Sequence, residues 1–454
     1  MKRDHVDMLT GSITKGLLSM TIPIMIMNVM QSLFNITDMT VLRIFSDDNA
    51  VGAVGACGML ITLCTCFLIG ISVGANVIVA RRIGAGKKAC AERAVTTAIL
   101  FSVFGGIVLL VIGVIFAETF LKMTNCPESL LYDAVRYFQI SFYGIPVQML
   151  YNFCASILRS IGDTKRPMYF LMLGGVIKVL ANLFFVAMLD MTVDGVALAT
   201  IISNLIISGL AVYVLFKGQN VVTVRLKEMK FDFKEFKDIL FIGVPAGLQS
   251  ALYSLANVVI TTVVNSFGAD ATTGISIANQ FDGILYQISY APSMAVAPFV
   301  AQNMGAGNIQ RVKQTLKKAI LITTAFGASF GFLSAFFSAE LSSIMSSTPA
   351  VIAFSKQKMI IISSTYFICG INEVFGGVLR GMEKPIVPAI STLVFMCLLR
   401  FIWVYVIFPL CPNLTFLYTV WPVGWILSII TLLTVYAVSM AKWKRKADPI
   451  KVSA

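Results

Sequence analysis

The sequence predicts an all-α integral membrane protein, with twelve transmembrane helices in two parallel-repeat six-helix lobes around a central cavity. Hydrophobic residues make up 57% of the 454 positions and charged residues 13%, and the mean hydropathy is +0.86. A soluble protein carries about 25% charged residues. The apolar runs last about 20 residues, which is typical of membrane helices and not of the alternating strands of a barrel. The two halves of the chain also resemble each other.

Twelve apolar segments give the predicted spans. Each is long enough to cross the hydrocarbon core as a helix, about 20 residues. The first is expected to be a retained span and not a signal peptide, because acidic residues dilute its basic start and the apolar run continues too far. In order, the spans lie near residues 17–42, 52–80, 95–117, 131–157, 168–189, 195–216, 239–266, 274–303, 319–338, 358–379, 386–409 and 415–440.

The distribution of basic residues predicts the orientation. With the N-terminus inside, 28 of the 35 Lys and Arg residues fall on the inner side. At most five fall outside, namely Arg43, Lys122, Arg136, Lys356 and Lys358. Such a skew follows the positive-inside rule, so both termini are expected in the cytoplasm and the chain in the inner (plasma) membrane. The net charge of +13 is then expected to bind the protein to anionic membrane lipids and not to nucleic acid.

An internal repeat predicts the two lobes. Three pairs of stretches match, around an early proline, a GAG turn and an arginine turn. They are "LLSMTIPIMI" (17–26) with "ILFIGVPAGL" (239–248), "VARRIGAGKK" (79–88) with "VAQNMGAGNI" (300–309), and "ASILRSIGDTKRP" (155–167) with "GGVLRGMEKP" (376–385). Six spans per half bring both halves in from the same side, as parallel repeats.

The lobe boundaries follow from this repeat. Residues 1–216 are predicted to form the N-terminal lobe, 217–238 a basic cytoplasmic linker, 239–441 the C-terminal lobe and 442–454 a basic cytoplasmic tail. A chain of two such lobes usually holds its substrate site between them.

Three carboxylates fall inside predicted spans. Asp38 lies in span 1, Asp282 in span 8 ("NQFDGILYQ") and Glu373 in span 10 ("CGINEVFGG"). Intramembrane acids are costly and usually face a bundle interior or a wet cavity, which makes them candidate functional residues. The alternative is a structural ion pair with Lys178 or Arg400, the two bases predicted to lie within spans.

Asp38 belongs to a polar stripe on span 1. Gln31, Asn35 and Asp38 are spaced four and three residues apart, so they share one helix face. Asn182 in span 5 and Asn204 in span 6 are expected to complete a polar cluster in the first lobe. For either Asn, a hydrogen bond that joins two packed helices is the competing interpretation.

Several motifs then point to a family. Each lobe has an early proline, Pro23 or Pro245, and "NITDMTVLR" places the acid of span 1. "GAG" follows spans 2 and 8, and "LRSIGDTKRP" and "LRGMEKP" follow spans 4 and 10. "VDGVALAT" (193–200) at the entry to span 6 is the most specific motif. Together they resemble the bacterial multidrug and toxic compound extrusion (MATE) transporters over essentially the whole chain.

This resemblance implies a cation-coupled antiporter that alternates between outward-open and inward-open states. Such proteins exchange external protons or sodium ions for an internal organic cation. Asp38 matches the carboxylate of the family's span 1, and Asn182 falls where many members have Asp or Asn, so these two residues are the expected site if the coupling ion is sodium. Some members carry an acid where this chain has Cys369, and here Glu373 follows one turn later. No cofactor beyond the coupling ion is expected. The protein is expected to be a monomer.

Physical chemistry supports the same mechanism. Desolvation disfavours the charged form of a carboxylate, so a buried acid takes up a proton readily. A cationic drug favours the ionised form. Proton binding and drug binding therefore oppose each other. The interiors of the predicted spans contain three acids and two bases, so small organic cations are the expected cargo.

Other functions fit the sequence less well. A lipid-linked oligosaccharide flippase of the same superfamily is the nearest alternative, but an anionic lipid calls for several arginines in the cavity. A major-facilitator transporter also has two six-helix lobes, but this chain lacks the loop motif that follows span 2 in that family. The chain is not expected to be an enzyme, because the only histidine, His5, lies in the N-terminal tail and no catalytic residues or clustered metal ligands stand out. A receptor or scaffold leaves the repeat and the buried acids unexplained.

Overall fold

The fold is helical throughout the described chain. The computed structural model describes residues 5–45, 48–124, 126–217, 222 and 229–447, and every regular element among them is a helix. Most of the predicted linker and the end of the basic tail lie outside these residues. The chain forms two compact units, which divide within helices α1 and α8.

The first unit contains Ile26–Gly247 together with the N-terminal residues up to Val6. Its core is made by α5, which packs against α2, α3 and α7, while α6 packs against α7. The helices are α1 (Ile13–Phe45), α2 (Asp48–Gly84), α3 (Lys88–Met123), α4 (Glu128–Tyr143), α5 (Ile145–Ser160), α6 (Lys165–Asn182), α7 (Val193–Phe216) and the start of α8 (Phe233–Asn265).

The second unit contains Asp7–Met25 and the chain from Leu248 onward. Its central helix is α9, which packs against α10, α12 and α13, and α13 also packs against α17. Its helices after α8 are α9 (Ala269–Gly305), α10 (Ile309–Phe336), α11 (Ser338–Ser343), α12 (Pro349–Ser363), α13 (Tyr366–Gly381), α14 (Ile386–Thr392), α15 (Leu399–Ile402), α16 (Leu414–Tyr418) and α17 (Val420–Ala447).

The units divide at equivalent places in the repeat. The first division follows Met25 and the second follows Gly247, each two residues after the repeated proline, Pro23 or Pro245. A proline inside a helix removes one backbone hydrogen bond and favours a bend there. The lobe boundaries drawn from the repeat stay a prediction.

The start of α8 and the segment before α1 are anchored in matching ways. In the first unit, Arg82 at the end of α2 pairs with Glu235 and Asp238 at distances of 3.2 and 2.8 Å. In the second unit, Asn303, which matches Arg82 in the repeat, donates from Nδ2 to the carbonyl of Met8 at 3.0 Å. The repeat therefore extends from sequence to the docking of these segments.

Long apolar helices make up most of the structure. Nine described helices are long and apolar enough to cross a membrane, and the bent pair α12 and α13 makes ten if the pair is counted as one span. The outer face of α3 is apolar and exposed at Phe104, Val108 and Ile115. A soluble monomer seldom exposes an apolar surface of this extent. These faces fit contact with lipid tails.

Two predicted spans are broken helices. Span 4 (131–157) is α4 and α5, which meet at Gly144, and Pro146 lies in the first turn of α5. Span 10 (358–379) is α12 and α13, which bend by 46° around a short break. A proline is tolerated in the first turn of a helix, where its missing N–H has no intrahelical partner. Each break therefore begins a new helix within one crossing.

Candidate functional site

Asp38 lies at the centre of a polar cluster in the first unit. Lys178 Nζ is 2.5 Å from Asp38 Oδ2, and Asn182 Nδ2 donates to Asp38 Oδ1 at 2.7 Å. Only 14% of the Asp38 side chain and 12% of the Lys178 side chain are exposed. The carboxylate therefore has a partner for each of its oxygens, and one of the two partners is charged.

Close packing brings α6 to α1 at this point. Gly175 lies one turn before Lys178, and a Cβ atom built on it would lie 1.7 Å from Cζ of Phe34. On the other side, Ser203 Oγ of α7 donates to the carbonyl of Gly174 at 2.7 Å. Two small residues thus let α6 fit between its neighbours, with Lys178 and Asn182 on the face toward α1.

A wider helical turn follows the cluster. The segment Leu183–Met188 is a π-helix and begins directly after Asn182. Short π segments are frequent at functional sites. Asn182 is fully buried, and its Oδ1 has no hydrogen-bond partner among the described residues. This amide oxygen is a free acceptor beside the Asp38 carboxylate.

The other predicted members of the cluster are not joined to it. Gln31 is exposed and Asn204 is half-buried, and neither forms a hydrogen bond with Asp38 in the part of the chain described. The side chain of Asn35 lies outside the described residues. The structure thus brings together Asp38 and Asn182 from the predicted set. It also pairs Asp38 with Lys178, which is the ion pair given above as the alternative to a functional role.

Asp282 forms a buried ion pair in the second unit. Lys358 Nζ lies 2.9 Å from Asp282 Oδ2, and only 3% of the Lys358 side chain is exposed. Lys358 also donates to Asn279 Oδ1. Lys358 is therefore buried within the protein, and its assignment to the outer side stays a prediction. Asp282 thus forms an ion pair, as the structural alternative in the sequence analysis proposed. Its partner is Lys358 and not Lys178 or Arg400.

Glu373 lines a polar cavity in the second unit. The residue is 5% exposed, and no described side chain forms an ion pair with its carboxylate. Cys369, one turn earlier, is buried in a neighbouring cluster of aliphatic and aromatic residues. The cavity is lined by Gln249, Ser250, Tyr253, Tyr286, Tyr290, Glu373, Arg380 and Thr392.

Three tyrosines form one wall of this cavity. The rings of Tyr253 and Tyr286 stack with centroids 5.4 Å apart, and those of Tyr286 and Tyr290 with centroids 5.7 Å apart. Arg380 is held in place, because Nη1 donates to Gln249 and Nη2 to Ser293, both at 2.9 Å. The tyrosine cavity therefore combines aromatic faces with a carboxylate that has no ion-pair partner in the described part of the chain.

Arg400 occupies the place in the second repeat that Asn182 has in the first, counted from the matched prolines Pro167 and Pro385. Its guanidinium lies between the rings of Trp421 and Tyr253, at 5.0 and 5.5 Å, and Nη1 donates to Asn257 at 2.7 Å. Arg400 is 1% exposed, and no described carboxylate pairs with it. The second repeat thus has a buried arginine where the first has a buried asparagine.

The balance of buried charge differs from the expectation. Two bases were predicted within spans, but five Lys and Arg residues among those described are buried or mostly buried, namely Arg159, Lys178, Lys358, Arg380 and Arg400. Five bases therefore accompany the three acids of the predicted spans. A count of charges no longer favours cationic cargo, and only the local geometry around each acid bears on the question.

Sequence analysis missed the tyrosine cavity and the pairing of Lys358. Tyr286 and Tyr290 are four residues apart, so their shared helix face was readable from the sequence. Tyr253 comes from another helix, and Lys358 lies far from Asp282 in sequence. No local pattern connects such residues.

Comparisons with known proteins agree with this architecture. The MatE family profile matches residues 23–184 and again 245–406, one match in each repeat. The chain is 26% identical to the probable multidrug resistance protein YoeA of Bacillus subtilis, over 84% of both chains. It is 25% identical to the FAD transporter of Shewanella oneidensis, over 87% of this chain and 88% of that one.

Solved structures show the same fold. A crystal structure of MATE in complex with MaL6 superposes with a TM-score of 0.91 at 19% identity, over 97% of this chain and 99% of the other. The predicted class, an all-helical membrane protein of twelve spans, is thereby confirmed. The two profile matches cover more than two-thirds of the sequence. The chain therefore belongs to the MatE family of membrane transporters.

Proposed function

We propose that the protein is a secondary active efflux antiporter, which exports lipophilic organic cations in exchange for protons or sodium ions by alternating access. The observation that carries this proposal is the tyrosine cavity with Glu373. Aromatic faces and a desolvated carboxylate attract an organic cation together. Relatives named as multidrug resistance proteins support the export of drugs.

Asp38 supplies the exchangeable site in this mechanism. It sits in a mostly buried cluster in which every charge has a partner, so a proton gained or lost there changes the local balance of charge. An ion taken up by Asp38 on one side and released on the other provides the driving force. The acids of the two units then have separate roles, coupling at Asp38 and cargo binding at Glu373.

Cellular efflux tests the proposed activity. Expression in a bacterial strain that lacks its own drug exporters is expected to lower the accumulation of ethidium and to raise resistance to it. The same strain carrying the Asp38→Asn variant at an equal protein level is the control. Equal accumulation of ethidium in these two strains and in the strain without the transporter would contradict the proposal.

An anionic cargo is the second candidate function. It is favoured by Arg400, which has no described carboxylate partner, and by Arg380, which lines the tyrosine cavity. A lipid-linked oligosaccharide flippase and the FAD transporter both handle phosphate groups, so either activity would use such arginines. Export of an anionic dye in preference to a cationic dye of equal size would favour this alternative.

Glu373→Gln is expected to weaken the binding of an organic cation roughly ten- to hundredfold, the amount that corresponds to losing one charge-assisted contact. Glutamine keeps the shape and the hydrogen-bonding groups but cannot carry the charge. Binding of a fluorescent cation to purified protein measures the change.

Glu340→Gln is the matched control, because Glu340 is exposed on the same unit. An uncharged dye of equal size is expected to bind both variants alike. If Glu373→Gln binds the cation as tightly as the unchanged protein does, Glu373 has no part in cargo binding.

Both termini and the linker are proposed to lie in the cytoplasm of a bacterial cell, with the protein in the inner membrane as a monomer in contact with anionic lipids. Single cysteines at Ser12, Gln219 and Ser453, introduced after removal of the nine native cysteines, are expected to resist a membrane-impermeant thiol reagent in intact cells. Gln219 and Ser453 lie outside the described residues.

A cysteine at Asp270 is the positive control for this labelling. Asp270 begins α9 and is exposed, and the charge pattern places that end outside. Labelling at Ser12, Gln219 or Ser453 from outside, with none at Asp270, would reverse the proposed orientation.

A further inference from the structure

We propose that the Lys178 ammonium group takes the place of a metal cation at Asp38, so that the transporter couples to protons there and excludes sodium. This inference rests on the proposed antiport and names its coupling ion. It makes Lys178 the residue that determines ion specificity.

The geometry at Asp38 is that of an occupied cation site. Lys178 Nζ lies 2.5 Å from one carboxylate oxygen, and Asn182 Nδ2 donates to the other at 2.7 Å. The ammonium carries the same single charge as a sodium ion and is held by the covalent chain of α6. The negative charge of Asp38 is therefore already matched by a cation that cannot leave.

A second cation at this carboxylate meets two obstacles. A sodium ion in contact with Asp38 would lie a few ångströms from the ammonium, and two positive charges at that distance in a poorly solvated site repel each other strongly. Sodium is also a hard cation that requires several oxygen ligands. Both Asp38 oxygens already accept hydrogen bonds, which leaves Asn182 Oδ1 as the cluster oxygen that has no partner among the described residues.

A proton meets neither obstacle. When Asp38 takes up a proton, the carboxylate becomes neutral, the Asp38–Lys178 ion pair is lost and the positive charge remains on Lys178. Loss of the proton restores the pair. Among the described residues, Tyr137 of α4 is a further titratable side chain that interacts electrostatically with Asp38. Each cycle thus moves one proton on and off one oxygen, with no metal ion involved.

Removal of the tethered charge is expected to open the site to sodium. In Lys178→Gln, the Asp38 carboxylate regains an unmatched negative charge beside the free Asn182 Oδ1. The carboxylate and amide oxygens are ligands that suit a hard monovalent cation. The variant is therefore expected to gain a response to sodium that the unchanged protein lacks.

The test uses purified full-length protein and radioactive sodium. The unchanged protein is expected to bind no sodium at Asp38. Lys178→Gln is expected to bind it and to lose that binding when Asp38→Asn is added. Lys178→Arg keeps a tethered cation and is expected to exclude sodium, and Lys87→Gln, an exposed lysine on the cytoplasmic turn, is the matched control.

Transport of a fluorescent cation in proteoliposomes gives the second measurement. A pH gradient alone is expected to drive the unchanged protein, and a sodium gradient alone is expected to drive only Lys178→Gln, at least about tenfold above its rate without sodium. Sodium binding by the unchanged protein that is lost in Asp38→Asn would overturn the inference even if Lys178→Gln failed to fold. A folded Lys178→Gln that neither binds nor responds to sodium would also overturn it. If no gradient drives the unchanged protein, the antiport proposal fails instead, while the binding measurement still tests Lys178.

Discussion

Replacing Asp38 by asparagine is expected to reduce gradient-driven export of an organic cation to the background of protein-free vesicles. Asparagine retains the shape of the side chain and its hydrogen-bonding capacity, but it cannot gain and lose a charge. The exchange of an ion at this position then stops, and cargo moves only down its own gradient. The initial rate of export under an imposed gradient measures the effect.

Lys178 requires its own control in this experiment. Asp38→Asn leaves a mostly buried ammonium without its ion partner, and breaking a buried pair costs stability on its own account. The double variant Asp38→Asn with Lys178→Gln removes both charges and is expected to unfold at nearly the temperature of the unchanged protein, yet to remain inactive. A folded double variant that exports at the normal rate would show that Asp38 is not the coupling group.

Asp282→Leu is expected to lower the free energy of unfolding by about 3–5 kcal/mol, because it leaves Lys358 as an uncompensated buried charge. Lys358 retains its bond to Asn279 and lies 5.9 Å from the centre of the Trp421 ring, so the loss is expected near the lower end of that range. Unfolding of the purified protein in detergent, followed by tryptophan fluorescence, measures it.

The matched control removes the whole pair. Asp282→Leu combined with Lys358→Met leaves no buried charge, and replacement of a buried pair by apolar residues is often neutral. The double variant is therefore expected to recover most of the stability and of the transport. A double variant that is stable but does not transport would assign Asp282 a direct role in function, as the sequence alone had suggested.

The helices were predictable because a membrane span needs a continuous apolar run, and hydropathy reports such runs directly. The breaks were harder to predict. Gly144 and Pro146 in "YGIPV" are a readable signal for the break in span 4, whereas the π segment Leu183–Met188 follows no local pattern. Packing against neighbouring helices determines such turns, and the sequence alone does not show which helices are neighbours.

The candidate site was predictable only where its residues share a helix face or match the family. Asp38 and Asn182 were predicted in this way, and they are hydrogen-bonded. Lys358 was counted among the outer bases from the distribution of charge alone, and its pairing with an acid on another helix was not predicted. Charge pairs across helices depend on register and tilt, which hydropathy does not encode.

The exchange of ions for cargo is tested most directly with purified protein in sealed vesicles, by following a fluorescent organic cation while either a pH gradient or a sodium gradient is imposed. The predicted result is movement of the cation against its own gradient when the pH gradient is imposed, which stops when an ionophore dissipates that gradient. The same cation movement with and without any imposed gradient would contradict the account, because the protein would then be a passive pathway and not an antiporter.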